Sequence, residues 1–369
     1  MTTLTRRQLA ISGAAVLAAA AATRSLPAAT HQTLRLSLPT MKPTALRVGT
    51  ILPLSPTDAS IADRVVRGFV EAVADVGWLT VDRRERLVPG GAVGLRAAAA
   101  ALLAEDVEVL VAVANPAAAD PLAEMADDAG VPLIVSTFGA TGARRLGSPD
   151  VPATVHGLHM ADAAAALGAW TVRTHGPRIG VLANQREAMF DLIGQFGRGV
   201  VSAGGTLAAI EIVDEPGDLG AAADRIRAAD LDAVHLEVAG PEAAPFLDLL
   251  DPDGTLHGVP VSIDPAAEGA TGLPSCASWT AGQDPATTLG GETGSLLATA
   301  LHRGRGNGLR LAGTTFATAR GNLTVSPLTG VTRGPVSLST TGAVLPVPPG
   351  DHGSLVAPVS AVTNEFLCL

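Results

Sequence analysis

The sequence predicts a two-domain α/β protein built on parallel β-sheets. Short, fully apolar runs of strand length alternate with alanine-rich stretches of helical periodicity from residue 46 onward. This alternation indicates parallel strands covered by helices on both faces. About 340 residues remain after the N-terminal leader, more than one compact core usually holds. Aromatic residues make up only 3% of the chain and tyrosine is absent, so we expect aliphatic side chains to fill the core.

The first 29 residues resemble an export signal. Arg6 and Arg7 precede an apolar run over 14–22, and a small-residue segment ending at Ala28 or Ala29 suits cleavage. The Thr-Arg-Arg-Gln-Leu pattern resembles a twin-arginine signal, and the run is too short for a standard membrane span. An amphipathic helix is the alternative. We predict an exported protein, periplasmic or extracellular, with a flexible Thr- and Pro-containing leader over 30–44.

The charge excludes one class of partner. The formal net charge is −10, and loss of Arg6, Arg7 and Arg24 with the signal would make it −13. We therefore expect no nucleic-acid partner.

The first half of the chain repeats a strand–helix unit. An apolar strand is predicted over 46–54, and helical spacing of apolar residues runs over 61–75 before Gly77. The units that follow are a helix over 94–105, a strand over 107–113, a helix over 116–130 and a strand over 131–135.

The pattern restarts after a Gly- and Pro-containing stretch over 139–152. Helices are predicted over 160–174, 187–203, 218–229, 241–250 and 286–303. Strands are predicted over 178–183, 207–213, 233–238 and 259–263, with short strand-like pieces in the last hundred residues.

Ligands of open parallel sheets bind at the carboxyl ends of the strands. In the first half, Asn115 precedes a helix whose free amides favour a carboxylate, with Ser136 and Thr137 beside it. Helix capping is the alternative role of Asn115. In the second half, Glu237 and Asp264 each end an apolar strand, where they would receive an ammonium group or simply face solvent.

The order of these pieces resembles the type I periplasmic solute-binding proteins, in particular the branched-chain amino-acid receptors of ABC transporters. The resemblance covers residues 46–325 and rests on RVGTILPLSPTDASIADRVVRGFVEAVADVG, LLAEDVEVLVAVANPAAADPLAEMADDAGVPLI, DAVHLEVAGPEAAPFLDLL and LAGTTFATARGN. It implies two Rossmann-like lobes of parallel sheet joined by a three-crossing hinge. Lobe 1 would comprise 45–155 plus 284–318, and lobe 2 would comprise 156–283 plus 319–369.

The resemblance also implies a function. The lobes would close on a small amino acid or amide and deliver it to an ABC permease, the only link to a membrane. By position, ligand contacts fall in two groups. The first-lobe residues are Ser55, Ala114, Asn115, Ser136, Thr137 and Phe138, and the second-lobe residues are Asn184, Glu237 and Asp264.

Other functional classes receive less support. The chain lacks a G-x-S-x-G elbow, a P-loop and a G-x-G-x-x-G fingerprint, so we predict no enzyme activity and no cofactor. His156 and His159 form an H-x-x-H pair without an obvious third ligand, so a structural role is favoured over a metal site. Alternatives are a sensory module or a degenerate relative that acts through a protein partner.

The two cysteines, Cys276 and Cys368, would lie in an oxidising compartment after export. They form either a disulfide that ties down the C-terminal tail or two separate thiols.

Overall fold

The computed structural model describes residues 44–54, 60–88, 92–114, 119–138, 152–185, 192–238, 240, 242–264, 272–277, 279, 283–304, 308–340 and 343–347. The helices within these ranges are α1 (Ile61–Asp75), α2 (Ala92–Leu103), α3 (Ala119–Ala129), α4 (Met160–His175), α5 (Leu192–Ser202), α6 (Leu219–Ala228), α7 (Ala243–Leu247) and α8 (Pro285–Gly304). None of these described helices is long and apolar enough to cross a bilayer.

The first sheet is parallel throughout, in the order β2-β1-β3-β4-β5. Its strands are β1 (Thr44–Pro53), β2 (Leu79–Val88), β3 (Val109–Val113), β4 (Leu133–Thr137) and β5 (Ala153–Gly157). Successive side chains of a strand face opposite sides of a sheet. Accordingly, Val109 packs with Phe69 of α1 and Leu296 of α8, whereas Leu110 packs with Leu95 of α2 and Leu122 of α3. Both faces are therefore covered, which explains why the strands are apolar throughout.

The second sheet repeats this architecture in the order β7-β6-β8-β10-β9. Its strands are β6 (Arg178–Asn184), β7 (Thr206–Val213), β8 (Ala233–Glu237), β9 (Thr255–Leu256) and β10 (Val259–Ile263). They are parallel except for the short β9, which pairs antiparallel with β10. Helices α4 and α5 cover one face, where Val181 packs with Phe196. Helices α6 and α7 cover the other, where Leu182 packs with Ile226 and Phe246.

Two small antiparallel sheets complete the fold, in the orders β11-β15-β16 and β12-β13-β14. Their strands are β11 (Ser275–Ala277), β12 (Thr315–Thr318), β13 (Gly321–Val325), β14 (Thr332–Arg333), β15 (Val336–Thr340) and β16 (Ala343–Val347). Leu323 and Val325 pack in the first-sheet core, whereas Val336 and Leu338 pack in the second-sheet core. The chain thus passes between the lobes after β5, after β11 and after β14, which confirms the predicted two-lobe, three-crossing fold.

The exact lobe boundaries stay a prediction. The expected third crossing follows residue 318, yet Leu323 and Val325 belong to the same core cluster as Leu46 of β1. That placement favours a crossing nearer Gly334. The predicted export signal and all but the last residue of the predicted leader lie outside the described residues.

Glycines set the closest helix contacts of both lobes. A side chain on Gly290 of α8 would collide with the carbonyl oxygen of Val65 on α1. In the other lobe, a side chain on Gly199 of α5 would collide with the carbonyl oxygen of Ala165 on α4. Each lobe therefore pairs two helices at backbone-contact distance, because the absence of a Cβ allows that approach. This device suits a chain with few aromatic side chains.

Most predicted elements match within a few residues, but two strands of the first sheet were missed, β2 and, more instructively, β5. Its sequence, Ala-Thr-Val-His-Gly, offers no apolar run. Thr154 and His156 are nevertheless 0% exposed. His156 Nδ1 lies 3.1 Å from Thr332 Oγ1, and the Thr154 hydroxyl donates to the Gly330 carbonyl. The partners that permit this burial are 176 residues away in sequence, so no local pattern predicts the strand.

Candidate functional site

Two predicted ligand contacts lie at the carboxyl end of β4. Ser136 Oγ lies 2.7 Å from Thr293 Oγ1 of α8. Because the Thr293 hydroxyl donates to the Leu289 carbonyl at 2.8 Å, Ser136 is the donor in that pair. Thr137 is also buried, and its Oγ1 has no hydrogen-bond partner in the described structure. Leaving a buried hydroxyl unpaired costs about 1–3 kcal/mol, which a bound acceptor or a water molecule would offset.

The other first-lobe residues are placed less directly. Ala114 is 1% exposed, and its amide donates to the Ser136 carbonyl at 3.0 Å, so the sheet already uses that amide. Phe138 packs in an apolar cluster with Leu52 and Trp279. Ser55 and Asn115 lie outside the described residues.

Asn184 ends β6 on the second sheet, where the prediction set it. Its Nδ2 donates to Glu242 Oε2 at 2.9 Å, so the amide side chain ties β6 to the residue before α7. The pair joins two carboxyl-end segments of the second sheet.

The second sheet carries a cluster of four polar side chains near the carboxyl ends of two neighbouring strands. His235 and Glu237 are two residues apart on β8 and face the same side. Ser262 of β10 is in register with His235, and Asp264 follows β10. All four residues are at most 4% exposed. Glu237 and Asp264, predicted separately, therefore lie in one buried cluster.

Hydrogen bonds connect the side chains of this four-residue cluster. His235 Nε2 lies 2.8 Å from Glu237 Oε2, and His235 Nδ1 lies 3.1 Å from Ser262 Oγ. Phe196 of α5 stacks on the imidazole with ring centroids 4.2 Å apart and planes 11° apart. The second carboxyl oxygen of Glu237, Oε1, is buried without a hydrogen-bond partner in the described structure.

Burial controls the protonation of this cluster. It raises the pKa of Glu237 to about 8, although a hydrogen bond with Asp264 acts in the opposite direction. It lowers the pKa of His235 to about 4, against the charge of Asp264. Near neutral pH the histidine is therefore neutral and Glu237 holds a proton.

A small cavity adjoins this four-residue polar cluster. Its volume is about 10 Å³, the room that one water-sized group requires. Its polar wall consists of His235, Glu237, Asp264 and Cys276, and its apolar wall includes Met160 and Leu167 of α4. Cys276, in β11, is 1% exposed, and burial raises the pKa of its thiol to about 12.

The predicted disulfide is not tested by this arrangement. Cys276 has a free thiol in this structure, and its predicted partner Cys368 lies outside the described residues. The pairing stays a prediction.

A second polar cluster lies beside two of the lobe crossings. Arg320 Nε and Nη2 donate to the two carboxylate oxygens of Glu292 at 2.6 Å each. Arg320 Nη2 also donates to the Gly157 carbonyl at 2.9 Å. His156 Nε2 lies 3.2 Å from Glu292 Oε2 without meeting hydrogen-bond geometry. The buried pair thus anchors the end of β5 to α8.

His159 completes this second cluster. Its Nδ1 accepts from Arg320 Nη1 at 2.8 Å, so its other nitrogen carries the proton and donates to the Thr332 carbonyl at 2.9 Å. Burial and then the Arg320 charge lower the pKa of His159 to about 3. Burial raises the pKa of Glu292, but contacts with His156 and Arg320 prevail and bring it to about 2. Both histidines are neutral and Glu292 is ionised at neutral pH.

The H-x-x-H pair therefore belongs to this cluster. His156 lies on β5 and His159 precedes α4 with a positive φ of 56°, so the two do not share a helical face. Among the described residues, no group of three His, Cys, Asp or Glu side chains is placed to hold a metal ion.

Sequence analysis missed His235, Glu292 and Arg320. His235 carried a usable signal, since polar residues at 235 and 237 alternate with Leu236 on a strand that is otherwise apolar. Glu292 and Arg320 carried none, because a single acid in a long helix and a single arginine in a turn usually face solvent.

Comparison with known proteins agrees with this architecture. The model of a family described as periplasmic binding protein matches residues 45–268. No curated protein sequence matches the chain. Among solved structures, an ABC-transporter substrate-binding protein from Sphaerobacter thermophilus has a TM-score of 0.64 at 18% identity, covering 82% of this chain and 96% of that one.

Two further structures come from Rhodopseudomonas palustris. A solute-binding protein of strain BisB5, solved with 3,4-dihydroxybenzoic acid, has a TM-score of 0.62 at 16% identity and covers 82% of this chain and 95% of that one. An ABC-type branched-chain amino acid transporter protein of strain CGA009 has a TM-score of 0.61 at 15% identity, covering 81% and 96%. At sequence identities this low, the similarity to these structures supports the fold alone.

Proposed function

Because this chain belongs to the periplasmic binding protein family, we propose that it captures a small carboxylate-bearing solute, an amino acid or amide, and delivers it to an ABC permease. The family consists of binding proteins and not of enzymes, and its members work outside the cytoplasm. The solute would bind between the lobes, at the carboxyl ends of the strands, and closing of the hinge would enclose it.

One observation carries the proposal. Thr137 is 1% exposed, and its hydroxyl has no hydrogen-bond partner within the described residues. It lies at the carboxyl end of β4, an interior strand of the parallel sheet, where this fold binds ligands. A hydroxyl donor suits a carboxylate oxygen, and Asn115, which follows β3 in the sequence, would supply a second donor.

The solute class is drawn from chemistry on both sheets. First-lobe hydroxyl and amide groups suit a carboxylate, whereas Glu237 and Asp264 of the second lobe suit an ammonium group. One similar structure was solved with 3,4-dihydroxybenzoic acid, and another is named for branched-chain amino acids. These two structures therefore do not agree on the class of solute. The two acids favour an amino compound over a benzoate.

Thermal unfolding in the presence of candidate solutes tests the proposal. The mature protein is screened against amino acids, amides and benzoates, and we expect an amino acid or amide to raise the melting temperature, since a ligand of the native state stabilises it. Thr137→Ala should weaken that solute about tenfold, the loss of one hydrogen bond to a charged group. Thr315→Ala, at an exposed position of β12, is the matched control. Unchanged affinity in Thr137→Ala would remove Thr137 from the site.

One observation favours a second function. Ser136 is hydrogen-bonded to Thr293 and Glu237 to His235, so part of the predicted site is satisfied internally. That arrangement favours a relative that has lost solute binding and acts through a protein partner. If no solute in the screen changes the melting temperature, this second function replaces the first.

A further inference from the structure

The three crossings between the lobes are short. At each one, a residue in the core of one lobe is followed within a few positions by a residue in the core of the other. In chain order, these flanking core residues are Leu158 and Ala163, Cys276 and Trp279, and Val331 and Val336. Bending between the lobes is therefore confined to a few residues of each crossing.

The first and third crossings are bonded to each other before they enter lobe 2. The Val155 amide donates to the Gly330 carbonyl at 3.0 Å, and His159 Nε2 donates to the Thr332 carbonyl at 2.9 Å. Gly334 lies so close to His159 that a Cβ built on it would be 3.2 Å from the imidazole Cε1. The two crossings thus form one unit as far as His159 and Gly334.

Arg320 attaches this unit to lobe 1. Its Nη1 donates to His159 Nδ1 at 2.8 Å and to the Leu158 carbonyl at 3.4 Å. Its Nε and Nη2 donate to the Glu292 carboxylate of α8. A buried ion pair often stabilises a fold no better than apolar side chains of similar volume. The place of this ion pair, beside two crossings, therefore indicates a positioning role.

The same ion pair reaches the candidate solute site through two residues. The Leu158 amide donates to the Thr137 carbonyl at 3.3 Å. On the other side, Thr293 follows Glu292 on α8, and its hydroxyl accepts from Ser136 at 2.7 Å. The carboxyl end of β4 and the first crossing are therefore held in place by one buried network.

We propose that Arg320 is a positioning residue of the hinge. It fixes the first and third crossings on lobe 1, so the lobes rotate about the segments just beyond His159 and Gly334 and about the second crossing. Through the same network it holds Ser136 and Thr137 in place during that rotation. The effect on the solute rests on the proposed function, whereas the effect on the hinge does not.

The chemistry of arginine suits this role. Its planar fork carries five N–H donors, so one side chain serves a carboxylate, two carbonyl groups and an imidazole at once. Lysine keeps the positive charge but has a single donor atom, and it cannot reach all of these acceptors together. Arg320→Lys therefore removes the positioning contacts without leaving the Glu292 carboxylate buried beside no cation.

Electron paramagnetic resonance between two spin labels tests the hinge role without any solute. The labels are attached at Val93→Cys and Glu215→Cys, exposed positions just beyond the carboxyl ends of β2 and β7. The background is Cys368→Ser, whose remaining thiol, Cys276, is buried. We expect a narrow distribution of distances between the labels, and a broader one when Arg320→Lys is added.

Three further variants support this measurement. Arg225→Lys is the matched control, because its ion pair with Glu211 lies within lobe 2, and it should leave the distribution narrow. His159→Leu breaks the link between the two crossings while the ion pair stays in place, and it should broaden the distribution. His159→Gln supplies both an acceptor and a donor and should restore the narrow distribution. Circular dichroism checks that each variant is folded.

Solute binding gives a second readout. For a solute that raises the melting temperature of the wild type, Arg320→Lys should weaken binding by about tenfold, because apparent affinity falls with the fraction of molecules in the binding-competent arrangement. Arg225→Lys should bind that solute as the wild type does. Calorimetry measures both affinities.

The outcomes separate the hinge role from the transport function. If folded Arg320→Lys and His159→Leu melt at lower temperature but keep the narrow distribution, the cluster only stabilises the fold and the hinge role is wrong. If the distribution broadens and no solute binds any variant or the wild type, the hinge role stands and the transport function is wrong. If solutes bind all variants equally and the distribution stays narrow, the transport function stands alone.

Hydrogen exchange of the wild type covers the case in which a variant does not fold. If the first crossing is fixed on lobe 1, the amides of Val155 and Leu158 should exchange as slowly as those of β4. Faster exchange at these two amides than in β4 would contradict the proposal.

Discussion

Arg320 and Glu292 form a two-pronged ion pair whose side chains are 2% and 4% exposed, although 28 residues separate them in sequence. The arginine also donates to the Gly157 and Leu158 carbonyls at the first lobe crossing. One guanidinium group therefore holds the end of β5, the start of α4 and the middle of α8 together.

Removing one partner of this pair should be costly. Arg320→Leu leaves the Glu292 carboxylate buried and unpaired, and we expect a loss of about 3–5 kcal/mol in the free energy of unfolding. Urea denaturation measures it. Arg227→Leu breaks an exposed pair with Asp224 and should cost far less. Equal losses in the two variants would contradict the structural role of the buried pair.

Acid should weaken the protein through Glu292. Its pKa of about 2 in the folded state lies below the ordinary value of 4.5, so the unfolded chain binds the proton more readily. The stabilisation is present above pH 4.5 and is lost as the pH falls toward 2. Glu292→Gln should be less stable at neutral pH and lose this part of the acid dependence. Urea midpoints measured from about pH 6 to about pH 3 provide the check.

Glu237 should have the opposite dependence. Its folded pKa of about 8 lies above the ordinary 4.5, so the folded state holds a proton that the unfolded chain has lost. The stability attributable to this group therefore falls as the pH rises from 4.5 to about 8. Glu237→Gln should become progressively more stable than the wild type across that interval. A constant difference between the two proteins would show that Glu237 titrates normally.

Helix contacts at glycine should not tolerate a methyl group. Gly290→Ala would press a Cβ against the Val65 carbonyl, and we expect a loss of about 1–3 kcal/mol or more from overpacking. Gly220→Ala in α6 meets no atom within 4 Å and should stabilise the protein by up to about 1 kcal/mol. Thermal and urea unfolding of both variants separate close packing from helix propensity, since both changes improve propensity.

The Cys276 thiol should be inert in the folded protein. It is buried, with its pKa raised to about 12, and thiol reagents require an accessible thiolate. In the Cys368→Ser variant we expect no reaction under native conditions and one reactive thiol after denaturation. Wild type denatured without reductant then tests the predicted disulfide: two thiols mean separate cysteines, and none means a bond.

Sequence periodicity was sufficient for the fold because parallel strands buried on both faces must be apolar throughout. The runs that became β3, β4, β6 and β8 carry this signal locally. The same logic placed Thr137, Glu237 and Asp264 at strand ends, since polar residues that follow an apolar strand mark its carboxyl end. The roles of these side chains at the site remain proposals.

Tertiary structure alone decided which polar groups could be buried. The sequence by itself determined the alternation of strands and helices and the two parallel sheets, because each depends on neighbours within a few residues. It did not determine β2, β5, the Arg320–Glu292 pair or the grouping of His235 with Glu237 and Asp264. Burying a charge or an imidazole is stable only when a partner lies within hydrogen-bonding distance, and in this chain those partners come from segments distant in sequence.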